Sequence, residues 1–374
     1  MDYRKFPGTD ITASALGMGC MRLPRLNYAD GGVDHEEAIR LIRAAIDGGV
    51  TYVDTAYGYH NGESEVVVGE ALKDGYREKV TLVTKLPLWL VEKPEDMERL
   101  LDEQLKRLDV ECVDFYLAHA VNRQRFDAVV GMGLFDFFDK MVAKGKIRYA
   151  GFSFHDNAET FKYVLDSYDW KLAQVQMNIL DENNQATMKG IEYAAQKGIG
   201  VVIMEPLRGG SLTQTVPEDV MKLYKDFKVD RSPAQWAFRY LYDRPEIITI
   251  LSGMSTMEQA LDNLNTFKDS CANCMDDEEK ALIKKVRETY EARIKIGCTG
   301  CEYCQPCPQE IKIPRLFGRY DNAYMFDDLK SFYQKYSENP MGKNCIECGA
   351  CESACPQNIQ IRDWIRKIDS GLEA

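Results

Sequence analysis

Eight of the chain's twelve cysteines fall between Cys298 and Cys355, within 58 residues of a 374-residue sequence. They stand in two runs. The first is Cys298-x2-Cys301-x2-Cys304-x2-Cys307-Pro308; the second is Cys345-x2-Cys348-x2-Cys351-x3-Cys355-Pro356. Tetrahedral zinc usually takes two separated C-x2-C pairs, so four evenly spaced cysteines put too many ligands in one loop. Disulfides need an oxidising compartment, and the opening residues (Met1-Asp2-Tyr3-Arg4-Lys5-Phe6-Pro7) carry no apolar signal segment. A cytoplasmic location with reduced thiols is therefore expected. Cysteines spaced this way, ending in Cys-Pro, wrap iron–sulfur clusters. The crowding also marks a domain boundary, which we place at residue 297, giving segments 1–297 and 298–374.

The first 270 residues read differently. Apolar, β-branched runs lie at 15–19, 50–54, 80–85, 113–119, 149–153, 172–176, 200–204 and 247–251, alternating with helix-patterned segments. Runs apolar on both faces suit a parallel sheet covered on both sides. Eight of them predict an α/β fold of the (β/α)8 TIM-barrel type; the cysteine runs after it resemble those of a small α-helical, ferredoxin-like iron–sulfur domain. An open doubly wound sheet is the alternative, weakened because no G-x-G-x-x-G follows the first strand. Residues around Gly8-Thr9 predict a hairpin ahead of the barrel, and residues 276–295 a charged linker helix.

A net charge of −12 argues against a nucleic-acid partner. Residues 298–374 hold 9 basic and 11 acidic side chains, so neither segment is built to bind a polyanion. No run of about 18 apolar residues is present, so no membrane span is expected.

Chemistry in such barrels gathers where strands end. Three of the runs end on titratable side chains, Asp54, Lys85 and His119, spaced by about one βα unit each, with Tyr59 in the loop after Asp54. A single such residue is as readily accidental as functional; four on neighbouring strands are not.

These residues lie in segments that resemble the aldo-keto reductases. The likeness runs from Gly49-Val50-Thr51-Tyr52-Val53-Asp54 through Tyr59 and Gly62-Glu63-Ser64-Glu65. It continues in Thr84-Lys85, Asp114-Phe115-Tyr116-Leu117-Ala118-His119, the Phe152-Ser153 strand, Glu205-Pro206-Leu207-Arg208-Gly209-Gly210 and Gly253-Met254-Ser255. The resemblance implies an NAD(P)H-dependent oxidoreductase acting on a small carbonyl or alcohol. Tyr59 would be the general acid, its pKa lowered by Lys85; Asp54 would keep Lys85 charged, and His119 would orient the carbonyl oxygen. It further implies that Ser153 and Gln174 hold the nicotinamide carboxamide and that Met204 replaces a stacking tyrosine. The loop with Glu205, Leu207 and Gly209 would face the pyrophosphate, and Gly253, Ser255, Gln259 and Asn263 the adenosine. Gly253 and Gln259 fall where NADPH-preferring members often carry Lys and Arg, and Phe154 where an asparagine is common. Arg208 or another nearby cation could substitute, so NADPH and NADH both stay open.

The cysteine runs resemble those of bacterial ferredoxins with two [4Fe–4S] clusters. That resemblance implies crosswise ligation: Cys298, Cys301, Cys304 and Cys355 to one cluster, Cys345, Cys348, Cys351 and Cys307 to the other. Seven aromatics between the runs, from Phe317 to Tyr336, are expected to pack this domain onto the barrel. Cys271-x2-Cys274 is expected to be a free or buried pair, with a metal or redox site as the alternative. A hydride carries two electrons and a cluster takes one, so electron exchange calls for a flavin, for which no site is identifiable, or for a redox partner protein such as a ferredoxin or flavoprotein; otherwise the clusters serve structure or sensing. The alternative is an electron-transfer or redox-sensing protein that uses its barrel as a scaffold.

Overall fold

The computed structural model describes residues 1–26 and 32–371. The chain opens with β1 (Tyr3–Lys5) and β2 (Thr12–Ser14), an antiparallel pair turning at Gly8-Thr9. Eight strands follow: β3 (Leu16–Gly19), β4 (Tyr52–Asp54), β5 (Thr81–Pro87), β6 (Val113–Val121), β7 (Ile147–Phe154), β8 (Leu172–Gln176), β9 (Gly200–Met204) and β10 (Ile247–Ser252). All their pairings are parallel, and β10 pairs with both β9 and β3, so the sheet closes into a barrel rather than staying open. Every residue of β4, β5, β8 and β10 is buried, which is why these strands are apolar on both faces apart from Asp54, Thr81, Thr84, Lys85, Gln174, Gln176, Thr249 and Ser252.

Between strands the chain returns through helices whose starts are written in the sequence. The Asp34 side chain accepts from the Glu37 N–H at the head of helix His35–Asp47; Asn157 does the same for Thr160, and Thr256 for Gln259. Pro94 opens helix Pro94–Leu108, and the Lys93 N–H donates to Asp96 at 3.1 Å.

The barrel interior is filled by Tyr52, Val83, Phe115, Leu117, Leu172, Val202 and Leu251, with Phe6 and Ile11 entering from the hairpin. Phe6 lies 4.8 Å from Phe115 and 6.0 Å from Tyr52, ring centre to ring centre. Strand β7 crosses β8 so closely at Gly151 that a Cβ there would stand 2.7 Å from the Leu172 carbonyl oxygen.

Cα packing divides the chain into two compact units, Met1–Gly209 with Gln235–Asp276, and Gly210–Ala234 with Asp277–Ala374. The division differs from a single cut at residue 297. Helix Glu218–Lys225 groups with helix Asp277–Glu291 in the second unit, where Arg231 and Glu279 form an ion pair at 2.7 Å. The core of the second unit gathers Phe317, Tyr320, Phe332 and Tyr336 with Ile361, Ile365 and Ile368. Those aromatics thus build the unit's own interior. Residues 372–374 lie outside the described residues.

Candidate active site

The register of the barrel sets the heights of the side chains at its mouth. Asp54 stands opposite Val83, Lys85 opposite Leu117, and His119 opposite Pro87. Each step around the wall therefore climbs two residues, the stagger of a closed parallel barrel. Strands β5 and β6 run two residues beyond Lys85 and His119, so these side chains sit within the wall rather than at its last residue.

The four side chains converge. Lys85 Nζ donates to Asp54 Oδ1 at 2.7 Å and to the Thr55 carbonyl at 2.7 Å, and it lies 3.4 Å from Tyr59 Oη. Lys85 and Asp54 are both almost wholly buried. Tyr59 begins a 3-10 turn (Tyr59–Gly62) whose His60 and Asn61 adopt left-handed backbone angles. The Tyr59 and His119 rings meet edge-on at 6.0 Å, and His119 Nδ1 is buried without a hydrogen-bond partner. Trp89, just beyond β5, tilts over His119 at 5.2 Å and is about half exposed. Sequence reasoning passed over it; its place four residues after Lys85 was the available signal.

Burial sets the charge states. It raises the Asp54 carboxyl pKa, against the pull of Lys85. Lys85 is itself held above the usual ammonium value: burial works against its charge, but Asp54 and Tyr59 outweigh it. His119 falls well below the ordinary imidazole value, through burial first and then the charges of Lys85, His155 and Arg125, so it is neutral. For Tyr59 the outcome reverses the expectation. Burial raises its phenol above 10 and outweighs the lowering by Lys85, so the O–H stays protonated at neutral pH.

Behind this group, Glu65 is fully buried and accepts from Thr84 Oγ1 (2.6 Å), Gln104 Nε2 (2.5 Å) and Arg107 Nη1 (3.1 Å). Gln104 also donates to the Lys85 carbonyl at 3.1 Å, fixing the backbone that carries the lysine.

Farther around the mouth, Ser153 and Gln174 are register partners on β7 and β8. Ser153 Oγ and Gln174 Nε2 approach the Met204 sulfur at 3.9 and 4.0 Å, while Gln174 Oε1 is buried and unpartnered. A buried amide oxygen lacking a donor fits a carboxamide N–H. Glu205, Leu207 and Gly209 form the turn after β9, with Glu205 and Gly209 at positive φ. Gly253, Ser255, Gln259 and Asn263 gather after β10. Ser255 N–H donates to Gln259 Oε1 at 2.8 Å, and Asn263, buried, donates to Ser252 Oγ at 3.0 Å.

In the second unit the cysteines line two cavities. One, of about 210 Å³, is bounded by Cys304, Cys307, Cys345, Cys348 and Cys351. A narrower one is bounded by Cys298, Cys301, Cys304 and Cys355. Apart from Cys304, which touches both, the division is the crosswise one. Cys271 and Cys274 are neither free nor buried as a pair. Their Cα atoms lie 5.8 Å apart and a disulfide joins them, with Cys271 exposed.

Residues 15–288 match the Aldo/keto reductase family. The chain belongs to that family. A second match, to the 4Fe-4S dicluster domain family, covers residues 297–359, so this aldo/keto reductase carries an iron–sulfur domain. It is 25% identical to the NADH-specific methylglyoxal reductase of Escherichia coli (strain K12), over 76% of this chain and 97% of that one. To probable aldo-keto reductase 1 of Glycine max it is 30% identical, over 76% and 86%. The holo form of aldo-keto reductase AKR11C1 from Bacillus halodurans superposes with a TM-score of 0.64 at 25% identity, covering 76% of this chain and 96% of that one. An aldo/keto reductase from Klebsiella pneumoniae, solved in complex with NADP and acetate, shares the fold with a TM-score of 0.63 at 23% identity, over 77% and 96%. The aldo/keto reductase has no helix, among the described residues, long and apolar enough to cross a membrane.

Proposed function

We propose that the barrel catalyses reversible hydride transfer between a nicotinamide dinucleotide and a small carbonyl or alcohol, with Tyr59 as the proton donor. One observation carries this reading: Tyr59 Oη stands 3.4 Å from a buried, charged Lys85, beside a neutral His119 whose Nδ1 has no partner. When bound, the nicotinamide supplies or accepts the hydride. Tyr59 Oη gives its proton to the carbonyl oxygen in reduction, and Lys85 Nζ stabilises the phenolate left behind. Asp54 holds Lys85 in place, and His119 with Tyr59 fixes the carbonyl oxygen. Ser153, Gln174 and Met204 would hold the nicotinamide end. The turn with Glu205, Leu207 and Gly209, and the set Gly253, Ser255, Gln259 and Asn263, would hold the remainder.

In residues 298–374 the two cavities support two [4Fe–4S] clusters, one on Cys298, Cys301, Cys304 and Cys355, the other on Cys345, Cys348, Cys351 and Cys307. The deciding experiment is carbonyl-dependent oxidation of NADH or NADPH by the purified protein and by Tyr59→Phe. Loss of about 10²-fold or more in turnover, with nucleotide binding kept, is expected. Unchanged turnover in Tyr59→Phe would remove the assignment.

A second reading, electron exchange with a redox partner, is favoured by the exposure of Cys301 and Cys348 beside exposed Tyr303 and Ile346. Anaerobic addition of NADH or NADPH without carbonyl separates the two, since only electron exchange would bleach the cluster absorbance.

A further inference from the structure

Gly253 and Gln259, which the resemblance places beside the adenosine, bring no cation to the proposed dinucleotide site. Arg208 does not fill the gap, since its guanidinium pairs with Asp181 at 3.6 Å. Another arginine crosses the site from a different strand. Arg22 ends the 3-10 turn (Cys20–Arg22) after β3, the strand that closes the barrel against β10. Its stem lies over Gly253: a Cβ on that glycine would stand 3.3 to 3.5 Å from Arg22 Cβ, Cγ and Cδ. Its head reaches the turn after β9, where Arg22 Nη2 lies 3.6 Å from the position of a Cβ on Gly209. The Arg22 carbonyl accepts from Ser255 Oγ at 2.7 Å, which ties the turn to the loop after β10. Among the described residues no carboxylate pairs with Arg22, and the side chain is exposed.

We infer that Arg22 is a dinucleotide-binding residue whose guanidinium takes the pyrophosphate, with Gly253 small because the Arg22 stem occupies the space above it. The inference rests on the nicotinamide reading given above. A guanidinium matches phosphate oxygens in a two-pronged, charge-assisted contact, and an unpaired one between two glycine turns leaves its donors open to an anion. The head sits at the Gly209 turn. Pyrophosphate is common to NADH and NADPH, so Arg22 provides affinity for both and leaves the 2′-phosphate undiscriminated.

The test uses the full-length protein with its clusters, titrated anaerobically with NADH, NADPH and ADP-ribose by calorimetry. Arg22→Ala should weaken all three by about tenfold, the usual size of a lost charge-assisted contact. Arg22→Lys, which keeps the charge but not the fork, should lose less. Gly253→Ala should weaken the same three probes in the wild-type background and do nothing further in Arg22→Ala; additive losses would overturn the packing of the stem on Gly253. A loss confined to NADPH would overturn the pyrophosphate assignment, and unchanged binding of all three would overturn any role in binding. Cluster absorbance and circular dichroism report whether each variant is folded. If the wild-type protein bound none of the probes, the nicotinamide reading would fall and this inference with it; binding by wild type and Arg22→Ala alike sinks only the inference.

Discussion

Lys85 Nζ and Asp54 Oδ1 meet at 2.7 Å with both side chains almost wholly out of water, while Asp54 Oδ2 has no hydrogen-bond partner. A buried pair of this kind adds little net stability, but removing one member strands the other charge. Lys85→Met should therefore cost about 3–5 kcal/mol in denaturant unfolding as well as abolish carbonyl reduction. Combining it with Asp54→Asn should recover part of the stability and none of the activity. Equal stability of Lys85→Met and wild type would show that the pair is not isolated from solvent.

The pH profile of reduction follows from the same burial. Tyr59 is raised above 10, so its proton is present at neutral pH and is lost only as pH climbs past that value. His119 is lowered well below 6.5, so it gains a proton only in acid. Between about pH 6.5 and pH 10 the rate of reduction should be flat in kcat/KM. An inflection near pH 8 would mean that Lys85 outweighs desolvation after all.

Glu65 collects three donors in a fully buried position. Glu65→Ala should destabilise the barrel by about 3–5 kcal/mol, because Arg107 and the Gln104 amide lose a buried partner. The urea midpoint measures this. A change under 0.5 kcal/mol, typical of a surface site, would refute the account.

On the proposed crosswise ligation, pairs of cysteines distant in sequence should share a phenotype. Cys298→Ser and Cys355→Ser should each perturb one and the same cluster, and Cys307→Ser should behave like Cys345→Ser. Iron analysis should find up to about four fewer irons per chain, and electron paramagnetic resonance of the reduced protein should lose the matching signal. Cys355→Ser matching Cys345→Ser instead would establish ligation within each run.

The barrel was legible because parallel strands buried on both faces leave largely apolar runs, and all eight runs became strands with ends shifted by two residues at most. The convergence of Asp54, Tyr59, Lys85 and His119 was legible because their spacing matches the βα repeat. What escaped depends on closure and burial. Arg22 and Gly253 are 231 residues apart and meet because β3 pairs with β10, which no local pattern records. The protonation of Tyr59 escaped because the sequence names its charged neighbour but not the depth of the site. The bond between Cys271 and Cys274 escaped because a lone C-x2-C suits several chemistries.

Phe6 enters the barrel from the hairpin at the end opposite the candidate site, packed on Phe115 and Tyr52. That stopper turns the barrel into a cul-de-sac. The interior is packed from that end upward, so water and any ligand can reach Tyr59, Lys85 and His119 only from the rim where the strands end.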